Sequence, residues 1–143
     1  MTFLLDTNLV SEARKKPSRR DAQVHQWLCS VAPHEAAISV ITLGELLAGV
    51  IRAEARDPVQ GAKLRHWYAN EVLEGFMERI LPISREIVET EAGLQVPDPR
   101  PKADALIAAT ALTHRLILVT RNVRDFDGTG VAWLNPWTGQ SGG

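Results

Sequence analysis

Residues 103–119 run Ala103-Asp104-Ala105-Leu106-Ile107-Ala108-Ala109-Thr110-Ala111-Leu112-Thr113-His114-Arg115-Leu116-Ile117-Leu118-Val119, and the change of pattern inside this stretch sets the fold class. Ala105, Ala108, Ala109 and Leu112 stand at i, i+3, i+4 and i+7, the spacing of one apolar face of a helix. Leu116–Val119 is an unbroken apolar run too short for a helix, which reads as a buried strand. Outward from here, Phe3–Leu5, Ala36–Val40, Arg79–Pro82 and Val131–Leu134 are further short apolar runs. Leu43, Leu46, Leu47 and Val50 repeat the helical spacing. A segment after Pro58 places Leu64, Trp67, Tyr68 and Val72 on one side, and Ser84 stands where an N-cap for Arg85–Gln95 belongs. Strands alternating with helices predict a parallel α/β sandwich.

The 143 residues match one domain, expected over 1–138, with 139–143 as a polar tail outside the fold. With 45% hydrophobic and 23% charged residues the composition is that of a globular chain, not a disordered one. Lys plus Arg number 16 against 17 Asp plus Glu, so no bulk positive charge holds nucleic acid, and any such binding needs a local patch. Arg14, Lys15, Lys16, Arg19 and Arg20 form the one basic cluster, readable as a solvated face or as phosphate contacts. Cys29, the single cysteine, excludes an internal disulfide, fits a reducing cytosol and is expected as a small buried hydrophobe. No signal peptide or membrane-spanning segment is evident, so a cytoplasmic location is expected. Pro97, Pro99 and Pro101 mark a loop before the helix that carries Asp104.

Four acids fall where an open parallel sheet puts its chemistry, at the C-terminal ends of strands. Asp6 follows the first strand, Glu45 opens the helix after the second, Asp104 opens the alanine-rich helix, and Asp125 follows the strand ending at Val119. Each has a structural alternative. Thr42-Leu43-Gly44-Glu45 fits a capping box, Asp104 complements a helix dipole, Asp6-Thr7-Asn8 reads as a turn, and Asp125 suits a turn after Asn122. Together they carry more, because converging carboxylates repel unless a cation offsets them. Oxygen-only ligands suit Mg²⁺ or Mn²⁺, and such a site suits hydrolysis of a phosphodiester with no side-chain nucleophile. Thr7 and Thr120 are placed to orient carboxylates, while Asn8, Arg121 and Asn122 are placed to position phosphate or outer ligands. His25, His34, His66 and His114 show no zinc spacing.

At these residues the sequence resembles the PIN-domain family, within it the VapC toxins and particularly their FitB branch. The resemblance is carried by Leu5-Asp6-Thr7-Asn8, Ser39-Val40-Ile41-Thr42-Leu43-Gly44-Glu45-Leu46, Ala103–Ala111 and Thr120-Arg121-Asn122-Val123-Arg124-Asp125-Phe126, and it spans nearly the whole chain. It implies a central parallel sheet flanked by helices on both faces and a single-strand endoribonuclease dependent on Mg²⁺ or Mn²⁺. Asp6, Glu45 and Asp104 look like the family's core metal-binding acids and Asp125 like a supporting acid, with Asn122 and Asp127 as alternatives for the last position. Arg121, Arg14 and Lys15 are candidates for contacting substrate. The resemblance further implies a VapB- or FitA-like antitoxin partner that alone meets operator DNA, and a homodimer. The alternatives are an RNA-processing nuclease without antitoxin and a catalytically silent interaction module. A receiver-like signalling domain would need an acidic pair after the first strand and a late lysine, where this chain has Asp6 alone and Arg121.

Overall fold

A computed structural model describes all residues, 1–143. Its strands are β1 (Phe3–Leu5), β2 (Ala36–Ser39), β3 (Ile80–Leu81), β4 (Ile117–Val119), β5 (Trp133–Asn135) and β6 (Gln140–Gly142). The helices are α1 (Thr7–Arg14), α2 (Ala22–Ser30), α3 (Val40–Arg56), α4 (Pro58–Trp67), α5 (Glu74–Phe76), α6 (Arg85–Leu94) and α7 (Lys102–His114). One sheet runs in the order β3-β2-β1-β4-β5-β6, parallel throughout except for the antiparallel pairing of β6 with β5. The first strand is thus central, with β2 on one side and β4 on the other.

Successive strand residues point to opposite faces, and each face has its own core. Leu5, Ala36, Ile38 and Val119 pack under Leu9 and Val10 of α1, Val24 of α2, Leu46 and Val50 of α3, and Tyr68 and Val72. Leu4, Ala37, Leu81 and Leu118 pack under Ile107, Ala108 and Ala111 of α7. Helices therefore cover both faces, and the C-terminal ends of the five parallel strands, β1 to β5, open on the same edge. No helix is long and apolar enough to cross a membrane.

Several local expectations change. Residues 140–142 pair with β5 from Trp133↔Gly142 to Asn135↔Gln140, so the stretch expected as a free tail is an edge strand. The second strand stops at Ser39, because the Ser39 hydroxyl accepts the Ile41 N–H at 3.0 Å and starts α3 there. The capping box expected at Thr42–Glu45 does not form: Thr42 lies fully buried inside α3. Asp6 does not sit in a free turn but caps α1, accepting the Thr7 N–H at 2.8 Å. Ser84 does cap α6, accepting from Ile87. Helix α4 starts from Asp57, which accepts the Val59 and Gln60 N–H groups, and passes through a wider-wound turn at Tyr68–Leu73 into α5. Cys29, expected buried, is exposed on α2, because it lies on the side of that helix away from Val24.

Candidate active site

Asp6 is the hub. It leaves the end of the central strand and is 6% exposed. Its Oδ1 accepts the Thr7 N–H at 2.8 Å, and its Oδ2 accepts the Thr120 hydroxyl at 2.7 Å and the Asn8 amide at 3.2 Å. Thr120 ends the neighbouring strand and is fully buried. Its hydroxyl oxygen also accepts the Asn122 N–H at 3.0 Å and the Asn8 amide at 3.4 Å, while the Asn8 carbonyl accepts the Arg121 N–H at 3.2 Å. Adjacent β1 and β4 are thereby laced together just beyond their last paired residues, Leu5 and Val119. Across the other flank, the Thr7 hydroxyl donates to Glu45 Oε1 at 2.6 Å, which orients an otherwise exposed carboxylate on α3.

Asp104 arrives from the opposite face of the sheet, in the first turn of α7. Burial pushes its carboxyl above the ordinary range, and the charges of Asp125, Asp6 and Glu45 push it further. Asp6 is raised for the same first reason, burial, against which the Thr120, Thr7 and Asn8 hydrogen bonds work, with Glu45 adding to the rise. The four predicted acids thus share one electrostatic neighbourhood at the sheet's C-terminal edge. Asn122, Asp125 and Asp127 are all exposed; the charge of Asp125 bears on Asp104, and the Asn122 N–H donates to the Thr120 hydroxyl oxygen. As they stand, no three His, Cys, Asp or Glu groups approach closely enough to enclose an ion. The donor set is nonetheless all oxygen, and Thr7 and Thr120 fix the carboxylates through one oxygen each of Glu45 and Asp6, a chemistry suited to a hard divalent cation.

The basic cluster is divided by its partners. Lys15 pairs with Glu12 at 2.9 Å, and Arg20 is bound to the Lys15 carbonyl at 3.0 Å and to the Ala13 carbonyl, so both serve the turn after α1. Arg14 instead faces a groove beside Glu45, with its guanidinium carbon 6.0 Å from the Trp67 ring centre. Arg121 lies over Trp137 at 5.4 Å. Trp137 and the buried Glu12, whose Oε2 accepts the Asp21 N–H at 2.9 Å, are neighbours that no sequence pattern singles out. Glu12 is held below the ordinary carboxylate range first by its bond with Lys15, and the charge of Arg121 contributes.

An α/β sandwich with acids brought from both faces to one edge of its sheet fits a nuclease fold. The chain belongs to the PIN-domain family, whose domain matches residues 3–131. It is 31% identical over 144 aligned positions to a VapC ribonuclease of Sinorhizobium fredii, covering 94% of this chain and 97% of that protein. The solved structure of FitAcB from Neisseria gonorrhoeae superposes with a TM-score of 0.85 at 31% identity, over 95% of this chain and 99% of that one. A toxin–antitoxin complex from Klebsiella pneumoniae gives a TM-score of 0.66 at 32% identity, over 94% and 98%.

Proposed function

We propose that this chain is the toxin of a type II toxin–antitoxin pair, an endoribonuclease that hydrolyses single-stranded RNA with Mg²⁺, or Mn²⁺, held by Asp6, Glu45, Asp104 and Asp125. The observation that carries it is the joining of four acids from four separate elements into one electrostatic neighbourhood, tied by the Thr120–Asp6 and Thr7–Glu45 hydrogen bonds. A structural cap needs no such convergence, and acids such as Asp6 and Asp104, raised by burial and by neighbouring carboxylates, lower stability unless they serve a ligand. A divalent cation bound there supplies charge neutralisation at the scissile phosphate and an activated water.

The chain's own residues do the remaining work. Thr120 and Asn8 fix the direction of Asp6 and favour its ionised form against the burial that opposes it, Thr7 orients Glu45, and Asp104 with Asp125 adds negative charge from α7 and from the turn after β4. The similarity to a ribonuclease, to a toxin–antitoxin complex and to a FitAB structure bound to DNA supports an antitoxin partner through which the pair meets DNA; an antitoxin seated on the acidic edge and a homodimer belong to the same proposal. The test is cleavage of a mixed single-stranded RNA by antitoxin-free protein with Mg²⁺, with Mn²⁺ and with chelator, alongside Asp6→Ala. Cutting that needs the metal and vanishes in the variant is the expected result. Equal cutting by the variant would refute the site, and no cutting with either metal would refute the nuclease.

A further inference from the structure

Two arginines lie on tryptophans, one on each flank of the acids. Arg14, at the end of α1, sits 6.0 Å from the Trp67 ring of α4, in a groove of about 220 Å³ whose wall includes Thr7, Ser11, Glu45 and Gly49. Arg121, just past β4, sits 5.4 Å from the Trp137 ring, just past β5. In the sheet, Glu45 follows β2 and Arg121 follows β4, with β1 and Asp6 between them. The two arrangements therefore flank Asp6 on its β2 side and on its β4 side. Neither guanidinium is in an ion pair, although four other basic side chains are. A third arginine-on-aromatic contact, Arg79 over Phe76, differs in kind: its guanidinium is engaged by the Ala36 and Gly75 carbonyls and holds the chain together.

We propose that Arg14–Trp67 and Arg121–Trp137 are the two nucleotide subsites flanking the scissile phosphate of a single-stranded RNA, a reading that rests on the nuclease assignment above. A strand whose phosphate lies at the acids must continue on both sides, and one side is the groove that Glu45 and Thr7 already line. An unpaired guanidinium meets a phosphate in bidentate fashion, and its plane, backed by an indole, offers a base a flat surface to stack on. Stacking plus a local cation binds single strands with little sequence preference, and it supplies the positive charge that a chain of formal net charge −1 lacks in bulk. The pairs also fix a minimum substrate, one nucleotide on each side of the cut.

The experiment measures binding of a fluorescein-labelled 12-nucleotide mixed-sequence RNA, with Mg²⁺, to the full chain carrying Asp104→Asn so that bound RNA stays intact. Arg14→Gln and Arg121→Gln are each added, and cleavage by the Asp104 parent is followed in parallel. Both exposed substitutions are expected to weaken binding on the order of tenfold and to lower the slope of log affinity against log salt by about 0.7. In the Asp104 parent the same changes raise KM for cleavage more than they lower kcat. If the parent binds and cuts RNA while both variants match it in affinity and salt slope, the subsites are refuted and the nuclease stands. If RNA is bound and the variants weaken it, but nothing is cut with Mg²⁺ or Mn²⁺, the subsites stand and the nuclease reading fails.

Discussion

Replacing Thr120 with Val keeps the shape of a fully buried side chain and removes one hydroxyl, so its effect isolates what that hydroxyl does for Asp6. The lost bond is 2.7 Å long and made to a carboxylate, and hydrogen bonds to charged groups contribute about 1.5–3 kcal/mol. The Asn122 N–H loses its acceptor as well, but Asn122 is exposed and water can replace it. A loss of about 2–3 kcal/mol at neutral pH follows, which for a chain of this size lowers Tm by roughly 8–12 °C. The pH dependence gives a second readout. Asp6 holds its proton more tightly folded than unfolded, chiefly through burial, so its ionisation costs stability. That cost is absent below the ordinary carboxylate range and complete above the raised folded pKa. The Thr120 bond is the foremost interaction opposing the rise, so the variant's Asp6 is raised further. The difference between wild type and Thr120→Val is therefore widest near neutrality and shrinks as Asp6 takes up its proton, when only a bond to a neutral carboxyl is at stake. Thermal unfolding in chelator, from about pH 8 to about pH 4, measures this gap. A gap that stays constant over the range, or is zero at neutral pH, would refute the role given to Thr120. Cleavage should fall about 10–100-fold, the usual effect of losing a residue that orients a metal ligand.

Asp104→Asn should make the metal-free chain more stable at neutral pH in urea unfolding, since it removes an acid raised by burial and by three neighbouring acids, and this gain should fade on acidification as Asp104 protonates. The same variant should lose more activity than the ~10–100-fold expected of a supporting residue. Glu91→Gln should have the opposite pH signature: Glu91 is 1% exposed and held low by its bonds with Gln95 and Lys102. Its contribution, about 1–3 kcal/mol, is present at neutral pH and lost as pH falls through its depressed pKa, so melting curves of the two proteins should converge in acid. Gly61→Ala should destabilise by about 1–3 kcal/mol, because the added methyl would lie 2.5 Å from the Glu54 Cα where α4 crosses α3. Gly93→Ala, at an exposed position of α6 where the added methyl meets nothing within 4 Å, should instead be stabilising in the same urea titration.

The five parallel strands were legible because an apolar run bounded by polar residues has few other uses; of the acids, Asp6 directly follows a strand, whereas Glu45 and Asp104 lie in the early turns of α3 and α7. What escaped the sequence lies in pairings that only the folded chain creates. Gln140-Ser141-Gly142 has no strand-like composition, and its pairing comes from β5, with Gly142 lying so close to the Trp133 ring that a methyl there would be 2.8 Å from it. Helix α1 is masked because Asp6-Thr7-Asn8 has turn chemistry, which here is used as a cap. The capping box at Thr42 was a plausible pattern displaced by Ser39, three residues earlier. Thr7 and Thr120 could be named as supports for carboxylates, but which acid each would hold depended on the strand order. Trp67 was legible only as part of a helical apolar face and Trp137 not at all, because their contacts with Arg14 and Arg121 join separate elements.

The central place of the first strand has a consequence for the making of the protein. Asp6 and Glu45 lie within the first 45 residues, whereas Thr120, which fixes Asp6, is 114 positions beyond it. Contacts this far apart form slowly, because a long loop must close before they bring any gain. A growing chain emerging from the ribosome thus carries two of its acids with nothing to hold them, and the pocket exists only once β4 has been made and slotted beside β1. A product that stops before β4 lacks Thr120 and with it the bond that fixes Asp6.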